Sequence, residues 1–329
     1  MACSSEGGGE PLSPAARLFH SPSFNCYVIA IIGCKTSINP QVIRDGLCQT
    51  ILKHPRFTSK LDTHTPLKGA HGVELNTKRF VYLMVSMDDI KLVKAEMKTT
   101  INDVLLGLTQ AGLARYLNRE YGVKNANDGA AMSKSGIPKN IRLRASILVN
   151  IRASPGIQDL ADMMAEKGKA RWGNKMGYII FPFNIALQED PLEYVRQAKA
   201  TIDRKKQSLE AICSYACAKL VLNLFGVKIA GVITRRVLFH TTMAFSNVAG
   251  PVEEISFYGH PVAFIAPSVY GHPHALTIHF QSYANQMTIS MAVDPTIIPD
   301  PYLLCDDFEE SLKLICDNVV KKRHIAEII

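Results

Sequence analysis

The sequence predicts an α/β fold with a mixed, largely antiparallel sheet in its C-terminal part, and three observations support this. The composition, with 329 residues, 47% hydrophobic and 20% charged, is that of a globular protein with one large domain or two ordinary ones. Helical periodicity dominates the middle of the chain. After Thr241, short apolar runs alternate with Gly and Pro turns. These features exclude a disordered chain, a coiled coil and a collagen.

The N-terminal elements follow from local composition. Residues 1–10 are small and polar and predict a flexible tail. Residues 24–33 form a continuous apolar run rich in β-branched side chains, which indicates a buried strand. Asn39 is suited to cap a helix that begins at Pro40 and runs to about Lys53.

Periodicity defines the middle of the chain. Residues 102–121 repeat apolar side chains at helical spacing and predict an amphipathic helix. Residues 142–152 alternate and indicate a strand with one solvated face. The other elements predicted here are a strand at 79–86, a short helix opened by Asp88 and Asp89, a strand at 178–183 and two helices within 190–225.

The C-terminal part predicts five short strands and a final helix. Asp300 and Pro301 start that helix, and its acidic residues come early and its basic residues late, as the helix dipole favours. The strands are predicted at 242–248, 252–258, 262–265, 275–283 and 286–293.

The charge balance favours anionic partners. Lys and Arg number 37 and Asp and Glu 29, giving a net charge of +8. This suits CoA phosphates or acidic lipid. The basic residues are spread over several elements and aromatics are only 8%, so we expect no nucleic-acid partner. The basic helix at 196–206 is interpreted as a solvated face, or alternatively as a contact for CoA or acidic headgroups.

Familiar catalytic and targeting patterns are missing from the sequence. There is no phosphate-binding glycine loop, no GxSxG and no HExxH, and the eight cysteines are scattered, so we expect reduced thiols and no metal site. No signal peptide opens the chain. The most apolar window, 211–233, contains Lys219, Asn223 and Lys228, so we expect core helices and at most peripheral membrane contact.

Several phrases in order carry a family resemblance. Ile101-Asn102-Asp103-Val104 opens the long helix, Gly173-Asn174 precedes a strand, and SNVAGP occupies 246–251. With PLSP at 11–14 and Asn150-Ile151-Arg152, the chain resembles the wax ester synthase/diacylglycerol acyltransferase family, most closely its plant branch, over residues 11–61 and 78–329.

The resemblance implies a CoA-dependent acyltransferase (chloramphenicol acetyltransferase-like) fold with two related halves and a tunnel between them. Acyl-CoA would be a substrate, no other cofactor is expected, and a long-chain alcohol or diacylglycerol would accept the acyl group to give a wax ester or triacylglycerol. The family also implies a location at the endoplasmic reticulum membrane, with the plasma membrane as a second location.

The sequence departs from the family at its reactive motif. The family's HHxxxDG motif supplies the general base, but this chain has no His-His pair, and neither Asp45-Gly46 nor Asp128-Gly129 follows a suitable histidine. The family pattern breaks between Leu61 and Lys78, which indicates an internal deletion. We therefore divide the chain into a tail (1–10), a truncated N-terminal half (11–61), a loop (62–77) and a C-terminal domain (78–329).

Two functional hypotheses follow. The first is a family O-acyltransferase impaired by the missing motif. The second is a non-catalytic protein that binds acyl chains or pairs with a full-length relative. Because the truncated half leaves apolar surface open, self-association is also expected.

No catalytic residue is assigned, and the candidates line a substrate tunnel. Asn102 and Asp103 have a helix cap as their alternative role, and Asn247, Gly250 and Pro251 have a strand-ending turn as theirs. His279 would lie on a polar strand face, for which the alternative is a solvated face. His64 and His71 are interpreted as exposed loop histidines without a visible partner, and the alternative is that one of them replaces the missing base.

Overall fold

A computed structural model describes residues 20–21, 24–53, 77–127, 141–151 and 175–328. The predicted tail (1–10), the loop (62–77), the loop histidines and the Gly173-Asn174 phrase lie outside these residues. In chain order the elements are β1 (His20–Ser21), β2 (Phe24–Asn25), β3 (Tyr27–Cys34), α1 (Pro40–Gln49), a 3-10 turn (Ile51–Lys53), β4 (Arg79–Ser86), α2 (Met87–Glu96), α3 (Ile101–Asn127), β5 (Ile141–Asn150), β6 (Met176–Ile185), α4 (Leu192–Lys206), α5 (Glu210–Phe239), β7 (Met243–Val248), β8 (Ser256–Phe257), β9 (His260–Tyr270), β10 (Leu276–Tyr283), β11 (Gln286–Val293) and α6 (Pro301–Ile328).

Within the described residues, the main sheet has six strands in the order β4-β11-β10-β7-β5-β6. Strand β7 pairs in parallel with both β10 and β5, and the other three pairings are antiparallel. This confirms the predicted α/β class and its mixed sheet.

One face of the sheet carries the hydrophobic core. Phe181, Phe245 and Ile278 point from it into a layer formed by α2, α3, α4 and α6. A Cβ atom on Gly107 of α3 would lie 2.8 Å from the Val195 backbone, so the glycine permits α3 and α4 to pack closely. The helix predicted at 102–121 is formed, but its predicted amphipathic character is wrong over residues 103–114, which are all buried because α3 packs between other elements.

The opposite face is partly covered by a second, small sheet in the order β3-β9-β8. Strand β9 packs over β10 and β11, and Phe264 stacks on Tyr82 of β4 with 4.5 Å between ring centroids. Along one edge, β9 pairs with β3 through antiparallel backbone hydrogen bonds. Strand β9 thus connects the N-terminal segment to the main sheet.

Two burial predictions are wrong. The strand predicted at 24–33 forms as β2 and β3, but Val28 is 82% exposed, because the other described residues leave its face of the small sheet uncovered. The window 211–233 forms no core helix: α5 consists of two helical segments joined at the non-helical Gly226, and only Ala230 and Gly231 of α5 are buried. Apolar composition identified both segments, but composition alone does not tell what covers them.

The predicted elements are formed, but several boundaries differ. Helix α1 ends at Gln49 rather than near Lys53, and α3 continues beyond 121 to Asn127. The predicted strand at 252–258 shrinks to β8, and the one at 262–265 extends to His260–Tyr270. Helix α5 continues beyond the predicted end at 225, to Phe239. The predicted caps are present: Asn39 accepts from the Gln41 amide at 3.0 Å, and Asp300 accepts from the Tyr302 amide at 3.0 Å.

Candidate functional site

Asn102 and Asn247 meet although they are distant in sequence. The side-chain amide of Asn247, near the end of β7, donates to the Asn102 side-chain oxygen at 2.7 Å. Asn102 stands in the first turn of α3, so the contact joins that helix to the end of a central strand. The structure thereby brings two of the family-like phrases into one place.

Asp103 is fully buried and caps α3. Its Oδ2 accepts from the Thr100 amide at 2.9 Å, from the Thr100 hydroxyl at 2.7 Å and from the Thr99 hydroxyl at 2.8 Å. The Asp103 amide donates back to the Thr100 hydroxyl, which makes a reciprocal capping box. The other carboxylate oxygen, Oδ1, is buried without a hydrogen-bond partner among the described residues. The hydrogen bonds of the helix cap therefore use Oδ2 of Asp103 and do not involve Oδ1.

Gly250 and Pro251 form a turn that docks on the end of β10. The Gly250 amide donates to the Ser282 hydroxyl at 3.1 Å, and the Ala284 amide donates to the Pro251 carbonyl at 2.9 Å. A Cβ atom at position 250 would lie 2.0 Å from the Ser282 carbonyl oxygen. Only glycine allows this approach, so the turn holds Asn247 at a fixed place beside α3.

His279 lies on the other face of the main sheet. Phe280 pairs with Asn247, so these two side chains share one face of the sheet. Adjacent residues of a strand point to opposite faces, so His279 points away from them. Strand β9 covers this face, leaving His279 8% exposed, so its interpretation as part of a solvated face is wrong. The structure therefore separates His279 from the Asn102–Asn247 contact.

Burial controls the charge of His279. Desolvation, with a smaller contribution from nearby His272, lowers the pKa of His279 to about 4. The imidazole is therefore neutral near pH 7, and its Nδ1 has no hydrogen-bond partner among the described residues. Because a general base works best with a pKa near the operating pH, His279 is poorly suited to that role.

A polar layer between the two sheets surrounds His279, and the sequence analysis missed most of it. The register places Ser290 and Gln281 beside His279 on this face, and Thr288 opposite Gln281. Ser268 of β9 faces the layer, and the hydroxyls of Ser268 and Thr288 are buried without partners among the described residues. The alternation of polar and apolar residues in 286–293 was the available signal.

A second set of buried polar side chains surrounds His274, which precedes β10 in the chain. Nε2 of His274 is 2.7 Å from the Thr241 hydroxyl and 3.2 Å from the Leu238 carbonyl, and desolvation lowers the pKa of His274 to about 4. Lys78 and Asp294 form a buried ion pair at 3.6 Å nearby. In the described part of the chain, no three His, Cys, Asp or Glu side chains are grouped to hold a metal ion.

Comparisons with known proteins identify the family. Residues 172–316 match the family model "WS/DGAT C-terminal domain". Wax ester synthase/diacylglycerol acyltransferase 5 of Arabidopsis thaliana is 39% identical, with 93% of each chain covered. Wax ester synthase/diacylglycerol acyltransferase 11 of the same plant is 56% identical over 261 residues, which are 79% of this chain and 53% of that protein.

Two solved structures resemble part of this chain. The wax ester synthase/diacylglycerol acyltransferase from Marinobacter aquaeolei VT8 is 18% identical with a TM-score of 0.47, covering 87% of this chain and 58% of that one. The epimerization domain from the third module of tyrocidine synthetase B is 13% identical with a TM-score of 0.43, covering 87% and 57%. The match to the Arabidopsis relatives is the stronger finding, and it shows that this chain belongs to the wax ester synthase/diacylglycerol acyltransferase family.

Proposed function

We propose that this chain keeps the acyltransferase scaffold of its family but has little or no acyl transfer activity of its own. The observation that carries the proposal is the absence of any His-His pair in the 329 residues. In the family pattern, the second histidine of that pair takes the proton of the acceptor hydroxyl as the hydroxyl attacks the thioester. Loss of a general base typically lowers the rate by about 10²–10⁴.

The alignment with the relatives supports an internal gap. The alignment to Arabidopsis relative 5 has 474 positions, whereas this chain has 329 residues. Well over a hundred aligned positions therefore have no residue of this chain, although the alignment covers 93% of it. We place this gap at Lys60 to Asp62, where the family pattern breaks.

Two buried histidines, His279 and His274, are poor replacements for the missing base. His279 is neutral with a pKa of about 4, and it lies under β9 on the face opposite the Asn102–Asn247 contact. His274 is also neutral and its Nε2 is engaged by Thr241. The tunnel role of Asn102, Asp103, Asn247, Gly250 and Pro251 remains part of this proposal, supported by their clustering around one end of β7.

The substrates follow from the relatives' names. Wax ester synthesis and diacylglycerol acylation both transfer a fatty acyl group from acyl-CoA to a hydroxyl, so acyl-CoA and either a long-chain alcohol or diacylglycerol are the proposed ligands. Because these acceptors are lipids, we propose peripheral contact with the endoplasmic reticulum membrane, with the plasma membrane as a second location.

Direct assay tests the proposal. The purified chain is incubated with radiolabelled palmitoyl-CoA and either hexadecanol or diacylglycerol, beside full-length Arabidopsis relative 5. We expect no product from this chain above the rate without enzyme. Turnover within tenfold of the relative would contradict the proposal.

A chimera provides the matched control. The segment of relative 5 that aligns with the gap is inserted between Lys60 and Asp62, in one version intact and in another with the second motif histidine changed to Ala. The intact chimera is expected to gain at least about 100-fold activity and the Ala version to lose it. Equal activity of the two chimeras would show that the base lies elsewhere.

A specific surface favours the second candidate, a non-catalytic acyl-chain-binding or interaction partner of a full-length relative. Helix α1 has no buried residue and borders an open groove of about 400 Å³ that is lined by Ile38, Ile43, Leu47 and Leu52. An inactive chain that raises the turnover of full-length relative 5 when the two are mixed would support this role.

A further inference from the structure

We propose that helix α5 lies along the surface of an anionic phospholipid bilayer, with its outward apolar face in the boundary between headgroups and acyl chains. The inference rests on the peripheral membrane contact proposed above and names the face that makes it. Four properties of α5 lead to this conclusion: its exposed apolar side chains, its attachment to the protein, its bend and its charge.

The outward face of α5 is apolar and uncovered. Leu220, Leu224 and Phe225 are 57%, 65% and 57% exposed, and beyond the bend Ile229 and Val232 are also exposed. The most apolar 18-residue window has a mean hydropathy of 1.8, and only 11% of it is buried. Contiguous exposed apolar surface of this kind marks an interaction site.

The helix is held against the body of the protein, so it lies along a membrane rather than across it. The Glu210 carboxylate accepts from the Ile180 amide at 2.7 Å, and the Ser214 hydroxyl accepts from the Tyr178 amide at 2.9 Å. Both amides belong to edge strand β6, whose free side α5 covers. A helix fixed in this way cannot turn its axis to cross the bilayer.

The bend reinforces the surface orientation. Gly226 has φ +72° and ψ 179°, which interrupts the helix in its middle. Beyond the bend Ala230 is buried against Val221, Leu222 and Leu238, so the two helical segments pack on each other. A spanning helix would need an uninterrupted backbone ladder in hydrocarbon, whereas at the interface water satisfies the broken turn.

The charge of α5 selects an anionic surface. After Glu210 the chain has no acidic residue until Glu253, while α5 carries Lys219, Lys228, Arg235 and Arg236. Lys219, Lys228 and Arg236 are exposed and have no carboxylate partner within the described ranges. Long basic side chains beside apolar ones reach the headgroups while the apolar ones enter the acyl region.

The same charge argues against a second copy of this chain as the occupant. In a symmetric contact through α5, each positive helix would meet another positive helix, and like charges across an interface disfavour association. An anionic bilayer neutralises the three exposed cations, Lys219, Lys228 and Arg236, and also buries the apolar face.

Vesicle sedimentation tests the inference without any acyl transfer, so its outcome is independent of the proposed loss of activity. The purified chain is mixed with phosphatidylcholine vesicles, with and without about one third phosphatidylserine, at about 0.05 M and about 0.5 M NaCl. We expect binding to the phosphatidylserine vesicles at low salt and much weaker binding at high salt.

Two triple variants locate the surface. Leu220→Ser with Leu224→Ser and Phe225→Ser removes apolar contact, and Lys219→Gln with Lys228→Gln and Arg236→Gln removes charge. Each is expected to weaken binding at least about tenfold. The matched controls, Val252→Ser with Ile297→Ser and Tyr302→Ser, and Lys94→Gln with Lys313→Gln and Lys321→Gln, alter equally exposed residues outside α5 and should bind as the unaltered chain does.

Three outcomes would overturn the inference. One is that the unaltered chain binds neither vesicle, and another is that both α5 variants bind as tightly as the controls. The third is a dimer, seen by analytical ultracentrifugation without lipid, that the α5 variants dissociate. Circular dichroism melting of each variant establishes that the altered side chains leave the fold intact.

Discussion

The buried histidines show how strongly the surroundings of a residue determine its pKa and therefore its chemical role. On the sequence, His279 belonged to an alternating polar face, and alternation predicted correctly which neighbours share that face. It did not predict that β9 covers the face. The cover removes water, lowers the pKa of His279 to about 4 and turns a candidate base into a neutral polar side chain.

This burial predicts a pH dependence of stability. The pKa of His279 is about 4 when folded and about 6.5 when unfolded, so between these values the unfolded chain binds more protons. The contribution of His279 to the free energy of unfolding is therefore fully present above about pH 6.5. It falls by on the order of 2 to 3 kcal/mol as the pH drops toward about 4. In the His279→Gln variant, urea unfolding at several pH values should show a shallower fall than in the unaltered chain.

The control for this prediction is Thr288→Val, which alters the same buried polar layer without removing a titratable group. Two parallel stability curves for the unaltered chain and His279→Gln would contradict the assignment. His272 and His274 are also buried with pKa values of about 4, so part of the acid sensitivity should persist in the variant.

At the scale of elements, local signals predicted which segments form helices and strands, but not their neighbours. The capping pattern at Asn39 and Pro40 gave the correct start of α1, and the run at 79–86 gave β4 without error. The strand order and the crossing of β9 over β10 depend on contacts between distant residues, which a single sequence does not display. The Asn102–Asn247 contact could be suspected only through the family phrases.

Helix α5 illustrates the same limit and leads to a prediction about its docking. A Cβ atom on Gly177 of β6 would lie 1.9 Å from the Ala211 carbonyl oxygen, so Gly177→Ala must push α5 away from the edge strand. The Ser214 and Glu210 hydrogen bonds to the β6 amides would then be lost. We expect a loss of about 1 to 3 kcal/mol in stability and faster hydrogen exchange at the Tyr178 and Ile180 amides.

The comparison for Gly177→Ala is Ser214→Ala, which removes one hydrogen bond without adding an atom. It should expose the Tyr178 amide to exchange and leave Ile180 protected by Glu210. Unchanged exchange at both amides in Gly177→Ala would mean that α5 does not cover β6 in solution.

At the scale of the whole molecule, the segment at 24–53 is attached through one region of the chain. Strand β3 pairs with β9, Lys35 bonds to Glu254 at 2.8 Å, and the Thr36 hydroxyl lies 3.1 Å from His260 Nδ1. Apart from contacts of β1 and β2 with α5, these attachments converge on residues 254–270. The N-terminal segment therefore depends on the small sheet rather than on the main core.

Among the residues that the structure describes, β3 is an apolar edge strand. Ile29 and Ile31 pair with Ser268 and Ala266, which face the main sheet, so Val28 and Ile32 point to the outer face. Val28 is 82% exposed and Ile32 37%. An edge with unpaired amides and apolar side chains is a template for pairing with another chain.

We therefore expect the chain to self-associate through β3 at micromolar concentration, and Val28→Glu with Ile32→Glu should restore a monomer. The glutamates add like charges that would face each other across two joined edges, while the β3–β9 ladder on the other side keeps its backbone hydrogen bonds. Sedimentation velocity of the two proteins measures the effect, with Val252→Glu and Ile297→Glu as a control that adds the same charge elsewhere. A chain that is already monomeric without the substitutions would show that the open edge of β3 is protected. A Val28→Glu, Ile32→Glu variant that remains associated while the α5 variants become monomeric would move the contact from the small sheet to the helix, and would also contradict the membrane assignment of α5.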